Sequence, residues 1–76
     1  MTQQKSLKKS VYKTLKKCGI RCRADMTRFA QNTRDLGGAY KVISSILSYR
    51  YNIHTTLPSI QATTQALLPG YKRYHP

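Results

Sequence analysis

The chain has 76 residues, of which 14 are Lys or Arg and only two, Asp25 and Asp35, are acidic, so its formal net charge is +12. A chain of this length forms one small domain spanning 1–76, and its charge favours an anionic partner. No apolar run approaches the roughly 18 residues of a membrane span, and none follows the first basic residues as in a secretory signal. We therefore expect no membrane insertion and a cytoplasmic protein, nucleoid-associated if it binds DNA.

The first predicted element is an amphipathic helix from Ser6 to Cys18. Its apolar side chains recur every three or four residues and fall on one arc: Leu7, Val11, Leu15 and Cys18. Lysines fall on the opposite side: Lys5, Lys9, Lys13, Lys16 and Lys17. This period is typical of a helix that packs one stripe inward and exposes the other.

Local signals predict where this helix begins and ends. Ser6 is the expected N-cap, because its hydroxyl can accept a hydrogen bond from an early amide. Gly19 is the expected left-handed residue at the C-terminus. With this start, Lys9 stands at the third helical position, where a cation opposes the helix dipole. We interpret that lysine as placed for a reason other than helix stability.

A second helix is predicted over 26–36, after a loop over 19–24. Asp25 is its expected N-cap. The glycine pair 37–38 should end the helix, because two glycines inside a helix cost about 2 kcal/mol relative to alanine. The alternative is one kinked helix, because an apolar seam continues through the glycines. That seam consists of Phe29, Thr33, Leu36, Tyr40, Ile43 and Leu47.

Two further helices complete the predicted fold. The segment 39–50 is the most apolar and should form the centre of the core. Pro58 fits the first turn of a last helix that ends at Leu68, with Thr56 or Leu57 as its cap. The ends, 1–5 and 70–76, are expected to be flexible. The predicted fold class is all-α, a small single domain of three to four short helices with a helical hairpin or a helix-turn-helix-like centre.

The basic residues of the first third indicate contact with phosphates. An ordinary solvated face mixes both signs of charge, whereas no acid interrupts the basic residues from Lys5 to Arg23. Lysines along one helix face can neutralise several phosphates and release their counterions. The residues predicted to bind nucleic acid are Lys5, Lys9, Lys13, Lys16, Lys17, Arg21, Arg23, Lys41, Lys72 and Arg73.

Base reading is a weaker expectation than phosphate contact. Two helices joined by a glycine-bearing turn fit the outline of a helix-turn-helix, but a plain helical hairpin fits the fine pattern better. The second helix of such a motif would read bases with a small polar set: Lys41, Ser44, Ser45 and Ser48. Tyrosines beside basic residues in 49–51 and 71–75 could stack on unpaired bases. The simpler interpretation is that Tyr49 or Tyr51 borders the core with its hydroxyl in water. The 71–75 segment is either disordered or ordered by the partner.

Metal binding and catalysis have little support in the sequence. Cys18 and Cys22 have a spacing that zinc permits, but only His54 and His75 could complete a site. We interpret Cys18 as a small apolar core residue. Both aspartates are explained as caps or local charge partners, so no catalytic residue, metal or cofactor is predicted.

The favoured function is DNA binding without catalysis, in a regulatory or accessory role. One alternative is an RNA-binding component of a ribonucleoprotein such as the ribosome. Another is a protein-interaction module that forms a homodimer, since the last predicted helix carries no charge.

Overall fold

The computed structural model describes the backbone of residues 2–68 and the side chains of residues 7–68. Over this range the chain forms four α-helices and one short 3₁₀ turn, which confirms the all-α prediction. The elements are α1 (Thr2–Lys17), α2 (Arg23–Asn32), the 3₁₀ turn (Arg34–Leu36), α3 (Ala39–Tyr51) and α4 (Leu57–Leu67). None of the helices described is long and apolar enough to cross a membrane.

Helix α3 is the centre of the fold. It packs against α1, α2 and α4, and α1 and α4 also pack against each other. The side chains of Ile43 and Leu47 on α3 are fully buried. The other buried apolar residues of the core are Val11, Leu15, Ile20, Met26, Ala39, Ile60 and Leu68. The arrangement leaves the outer side of α1 facing solvent, opposite the side that contacts α3 and α4.

The glycine pair separates α2 from α3, so the single kinked helix is excluded. Gly37 and Gly38 have φ angles of 101° and 103°, which are unfavourable for any residue with a side chain. The N–H of Gly38 donates to the carbonyl of Thr33 at 2.9 Å, which closes the turn. Leu36 was expected on an inward helical face, but α2 ends at Asn32 and Leu36 is 68% exposed in the 3₁₀ turn.

Two of the predicted caps are wrong. Helix α1 begins at Thr2, so Ser6 is not its N-cap. Helix α2 begins at Arg23, which places Asp25 inside its first turn instead of at the cap position. The cap of α4 is confirmed at Thr56, whose hydroxyl oxygen accepts from the N–H of Ser59 at 3.3 Å.

Two threonines are fully buried in the core and differ in their hydrogen bonding. The hydroxyl of Thr14 donates to the carbonyl of Ser10 at 2.8 Å. The hydroxyl of Thr64 has no hydrogen-bond partner among the described residues. A buried hydroxyl without a partner costs roughly 1–3 kcal/mol in desolvation.

We expect Thr64→Val to raise the free energy of unfolding by about 1 kcal/mol, because valine keeps the shape of the side chain and removes the unpaired hydroxyl. Urea denaturation measures the change. Thr14→Val is the matched control and should not stabilise the fold, because it removes a hydroxyl that already has a partner. Equal effects of the two substitutions would contradict this account of Thr64.

Candidate functional site

The solvent-facing side of α1 is almost entirely basic. Packing against α3 and α4 buries Val11, Thr14 and Leu15, so the side chains on the opposite arc point to water. We call the exposed lysines of this arc the lysine face: Lys8, Lys9, Lys13, Lys16 and Lys17. Tyr12 is exposed among them and is the one uncharged side chain of the arc. The helix contains no acidic residue, so all of its charged side chains are positive.

The lysines do not destabilise α1 in the way that the sequence suggested. Because the helix begins at Thr2, Lys9 lies beyond the first turn, where the effect of the dipole has faded. Lys16 and Lys17 lie in the last turn, at the negative end of the dipole. Cations at that end stabilise a helix by about 0.3–1 kcal/mol each. The interpretation of Lys9 as a local cost is therefore wrong.

The loop after α1 is held by Asp25. The N–H of Arg21 donates to Asp25 Oδ2 at 2.9 Å, and Arg28 Nη1 lies 3.5 Å from Asp25 Oδ1. The hydrogen bond from Arg21 is the main reason that the pKa of Asp25 is lowered, with smaller contributions from Cys22 and Arg28. The carboxylate therefore stays ionised and engaged with its own loop. The side chain of Arg21 is exposed on this loop, and that of Arg23 is exposed at the first residue of α2.

A shallow depression lies where α1, the α1–α2 loop and the end of α4 meet. Its volume is about 260 Å³, and we call it the Tyr12 depression. It is lined by Tyr12, Leu15, Lys16, Ile20, Arg21, Leu67 and Leu68. Its deeper residues are apolar and buried, whereas Tyr12 is 49% exposed. Lys16 Nζ lies 5.6 Å from the centre of the Tyr12 ring, so one cation already contacts the aromatic face.

A second depression, of about 360 Å³, lies between α1 and α4. It is lined by Leu7, Lys8, Ser59, Ala62, Thr63 and Ala66. This lining includes a single cation and no aromatic ring. Lys8 was not among the residues predicted from the sequence, although its exposed side chain lies at the edge of the lysine face.

The structure places the predicted binding residues in two regions. Six of them lie along α1, the loop that follows it and the first residue of α2: Lys9, Lys13, Lys16, Lys17, Arg21 and Arg23. Lys41 lies on α3, with its aliphatic stem against the position of Gly37. The side chain of Lys5, and the whole of Lys72 and Arg73, lie outside the described residues. Besides Lys8, the exposed basic residues that the prediction left out are Arg28, Arg34 and Arg50.

Helix α3 presents few groups that could read bases. Of the polar residues named for that role, Lys41 and Ser45 are exposed, whereas Ser44 and Ser48 are half-buried. Tyr49 is 91% exposed on the same stripe, one turn beyond Ser45. The other sides of α3 are occupied by its contacts with α1, α2 and α4. Its exposed stripe is therefore narrow and carries one cation.

The α3–α4 connector contains a hydrogen-bonded histidine that the sequence did not predict. Ser48 Oγ lies 3.2 Å from His54 Nδ1, and His54 Nε2 lies 2.9 Å from Asn52 Oδ1. Asn52 is the left-handed residue that ends α3, so this cluster fixes the exit of the chain from α3.

The cysteines are not part of a metal-binding cluster in the described residues. Within residues 7–68, no three His, Cys, Asp or Glu side chains are placed to hold a metal ion, and His75 lies outside that range. Cys18 is half-buried and packs against the core. Burial raises the pKa of its thiol, an effect partly offset by the charge of Lys17.

No protein-family model matches the chain, and neither the curated proteins nor the solved structures include a significant match.

Proposed function

We propose that the chain binds nucleic acid, with DNA as the favoured form, and that it does so by phosphate contacts without catalysing a reaction. The observation that carries this proposal is the lysine face, where five lysines are exposed on one helix that has no acid. Arg21 and Arg23 extend the same charge beyond the end of α1. The role we propose is regulatory or accessory.

The length of the lysine face suits a phosphate backbone. From Lys8 to Lys17 an α-helix rises roughly 14 Å. One strand of B-DNA carries about four phosphates over that distance. Lysine side chains rotate about long stems and can reach phosphates on either side of the helix axis. The spacing of the lysines therefore need not equal the spacing of the phosphates.

The balance of charge supports the same proposal. A net charge of +12 on 76 residues causes self-repulsion in the folded state. A polyanion that binds only the folded chain relieves this repulsion and stabilises the fold by mass action. The two acids do not offset the lysine face, because Asp25 is engaged by its own loop and Asp35 lies in the 3₁₀ turn.

The contacts that we propose are largely independent of base sequence. Phosphate contacts position a protein on DNA, whereas contacts with base edges provide specificity. Helix α3 supplies only Lys41, Ser45 and Tyr49 on its exposed stripe. We therefore expect a small ratio between specific and non-specific affinity.

The test is the affinity of the chain for a short DNA duplex, measured by filter binding across a series of salt concentrations. About five phosphate contacts predict a slope of log affinity against log salt of roughly −4 to −5. A slope near zero would contradict the proposal. Competition with a structured RNA tests the choice of DNA, because strong preference for the RNA would favour a ribonucleoprotein component.

A further inference from the structure

The Tyr12 depression combines two features that the phosphate contacts do not use with two cations that also belong to the basic surface. It has an apolar floor, formed by residues that are at most 5% exposed: Leu15, Ile20 and Leu68. It has a half-exposed aromatic ring at its edge. Two cations, Lys16 and Arg21, stand on its rim. An occupant complementary to these features has a flat apolar part next to a negatively charged group.

We propose that the Tyr12 depression receives an unpaired base of the bound nucleic acid, while Lys16 and Arg21 contact the phosphates on either side of that base. This inference rests on the proposed function and narrows it to DNA or RNA with an exposed base, such as a single strand or a distorted duplex. A fully paired duplex keeps its bases stacked inside, so it makes the phosphate contacts without placing a base in the depression.

The size of the depression fits one base. Pockets for drug-sized ligands occupy roughly 300–1,000 Å³, and this one is smaller, at about 260 Å³. A single planar ring system is the part of a nucleotide that such a space can hold. The phosphates remain outside, at the rim where the two cations lie.

The energies favour the exchange of partners at Tyr12. An exposed cation–π contact such as that between Lys16 and Tyr12 is weak, because water competes for the ammonium group. A base stacked on an aromatic side chain is worth about 1–3 kcal/mol. Lys16 also gains a charge-assisted contact when it turns from the ring to a phosphate. Binding of a base therefore replaces a weak contact with two stronger ones.

Among the described residues, no acidic residue lines the depression to neutralise the positive charge of Lys16 and Arg21. Asp25 does not line the depression, since its carboxylate is bound to the N–H of Arg21 and to Arg28. The rim is thus left with net positive charge for an external anion.

The test compares a short single strand with a duplex of equal length, using Tyr12→Leu and Tyr12→Phe in the full chain. Tyr12→Leu keeps an apolar side chain and removes the aromatic face. We expect it to weaken single-strand binding by about 5- to 150-fold, which is the loss of one stacked base. Duplex affinity should change less than twofold, and Tyr12→Phe should retain single-strand binding.

Tyr49→Leu is the matched control, because Tyr49 is 91% exposed on α3 and lies outside the depression. A strand with 2-aminopurine in place of one base gives an independent readout, since contact with Tyr12 changes its fluorescence. The expected result is a change with the wild-type chain and with Tyr12→Phe, which Tyr12→Leu abolishes and Tyr49→Leu leaves intact.

Three results would overturn the inference about the depression while leaving phosphate binding in place. One is an unchanged single-strand affinity in Tyr12→Leu, and another is an equal loss for single strand and duplex. The third is loss of binding to phosphatidylserine vesicles in Tyr12→Leu with single-strand binding retained, which would assign the depression to an acyl chain. If the wild-type chain binds neither the single strand nor the duplex, the proposed function and this inference are both wrong.

Discussion

Replacement of Lys9, Lys13 and Lys17 by glutamine in one variant should weaken duplex DNA binding by two to three orders of magnitude near 0.1 M salt. Each phosphate contact contributes about 0.9 to the slope of log affinity against log salt, so three contacts contribute about 2.7. Filter binding of the variant and the wild-type chain across the same salt series measures the difference. The two curves should converge as the salt concentration approaches 1 M, because only the counterion term is lost.

The substitutions are expected to leave the fold intact. All three side chains are exposed on α1, and glutamine has nearly the helix propensity of lysine. Lys17 lies in the last turn, so its loss costs about 0.3–1 kcal/mol of favourable interaction with the helix dipole. Removal of three positive charges also reduces self-repulsion in the folded state, which stabilises the fold. A thermal melt of each variant separates loss of binding from loss of structure.

A second triple variant provides a control of equal charge. Substitution of Arg34, Lys41 and Arg50 by glutamine lowers the net charge by the same three units, from +12 to +9. These residues lie in the 3₁₀ turn and on α3, away from the lysine face. The slope should fall by at most about 0.9, which is the single contact predicted for Lys41. Equal losses in both variants would show that binding depends on total charge and not on this face.

The parts of the fold that depend on hydrophobic period were predictable from the sequence. The inward stripe of α1 is confirmed. It was predictable because apolar residues that recur every three or four positions can be buried together only on one side of a helix. The glycine pair predicted the break between the helices, and the φ angle of 101° at Gly37 is the conformation that produces it. Thr56 was among the two residues considered for the cap of α4, because Pro58 marked the first turn.

Helix starts were harder to predict, because several residues satisfy the same capping rule. Asp25 accepts the N–H of Arg21 from the third position of α2, whereas Cys22 occupies the cap position without a side-chain hydrogen bond. An acid is favourable at either position, since both lie near the positive end of the dipole. Ser6 satisfies the capping rule, but the residues before it, which include two glutamines and a lysine, also suit a helix, and α1 begins at Thr2.

The Tyr12 depression could not be predicted from local patterns. It brings together Tyr12 on α1, Arg21 in the following loop and Leu67 at the end of α4. Periodicity places Tyr12 on the outer arc of its own helix, but it carries no information about which distant element lies beside it. The signal available in the sequence was a single tyrosine among lysines, with Lys16 four residues later.

The substitution with the largest expected effect on stability is Ile43→Ala. Ile43 is fully buried on the central helix, which contacts each of the other three. Truncation of a buried isoleucine to alanine costs about 2–5 kcal/mol, because it loses apolar burial and leaves a cavity. A 76-residue chain is expected to have a total stability of about 4–11 kcal/mol. The variant should therefore lose a large part of its stability, as measured by urea denaturation.

Leu36→Ala is the control for this substitution. Leu36 is 68% exposed in the 3₁₀ turn, so its truncation should change the free energy of unfolding by no more than about 0.5 kcal/mol. A loss in Ile43→Ala as small as that in Leu36→Ala would contradict the position of α3 at the centre of the core.

The two predictions are linked through the stability of the folded state. A ligand present at a hundred times its Kd stabilises the fold by about 2.7 kcal/mol, which is comparable to the loss in Ile43→Ala. Duplex DNA at low salt should therefore raise the melting temperature of Ile43→Ala, since its lysine face is unchanged. The triple variant at Lys9, Lys13 and Lys17 should gain little at the same DNA concentration, because its Kd is hundreds of times higher. An equal rise in melting temperature in both variants would show that DNA binding does not depend on the lysine face.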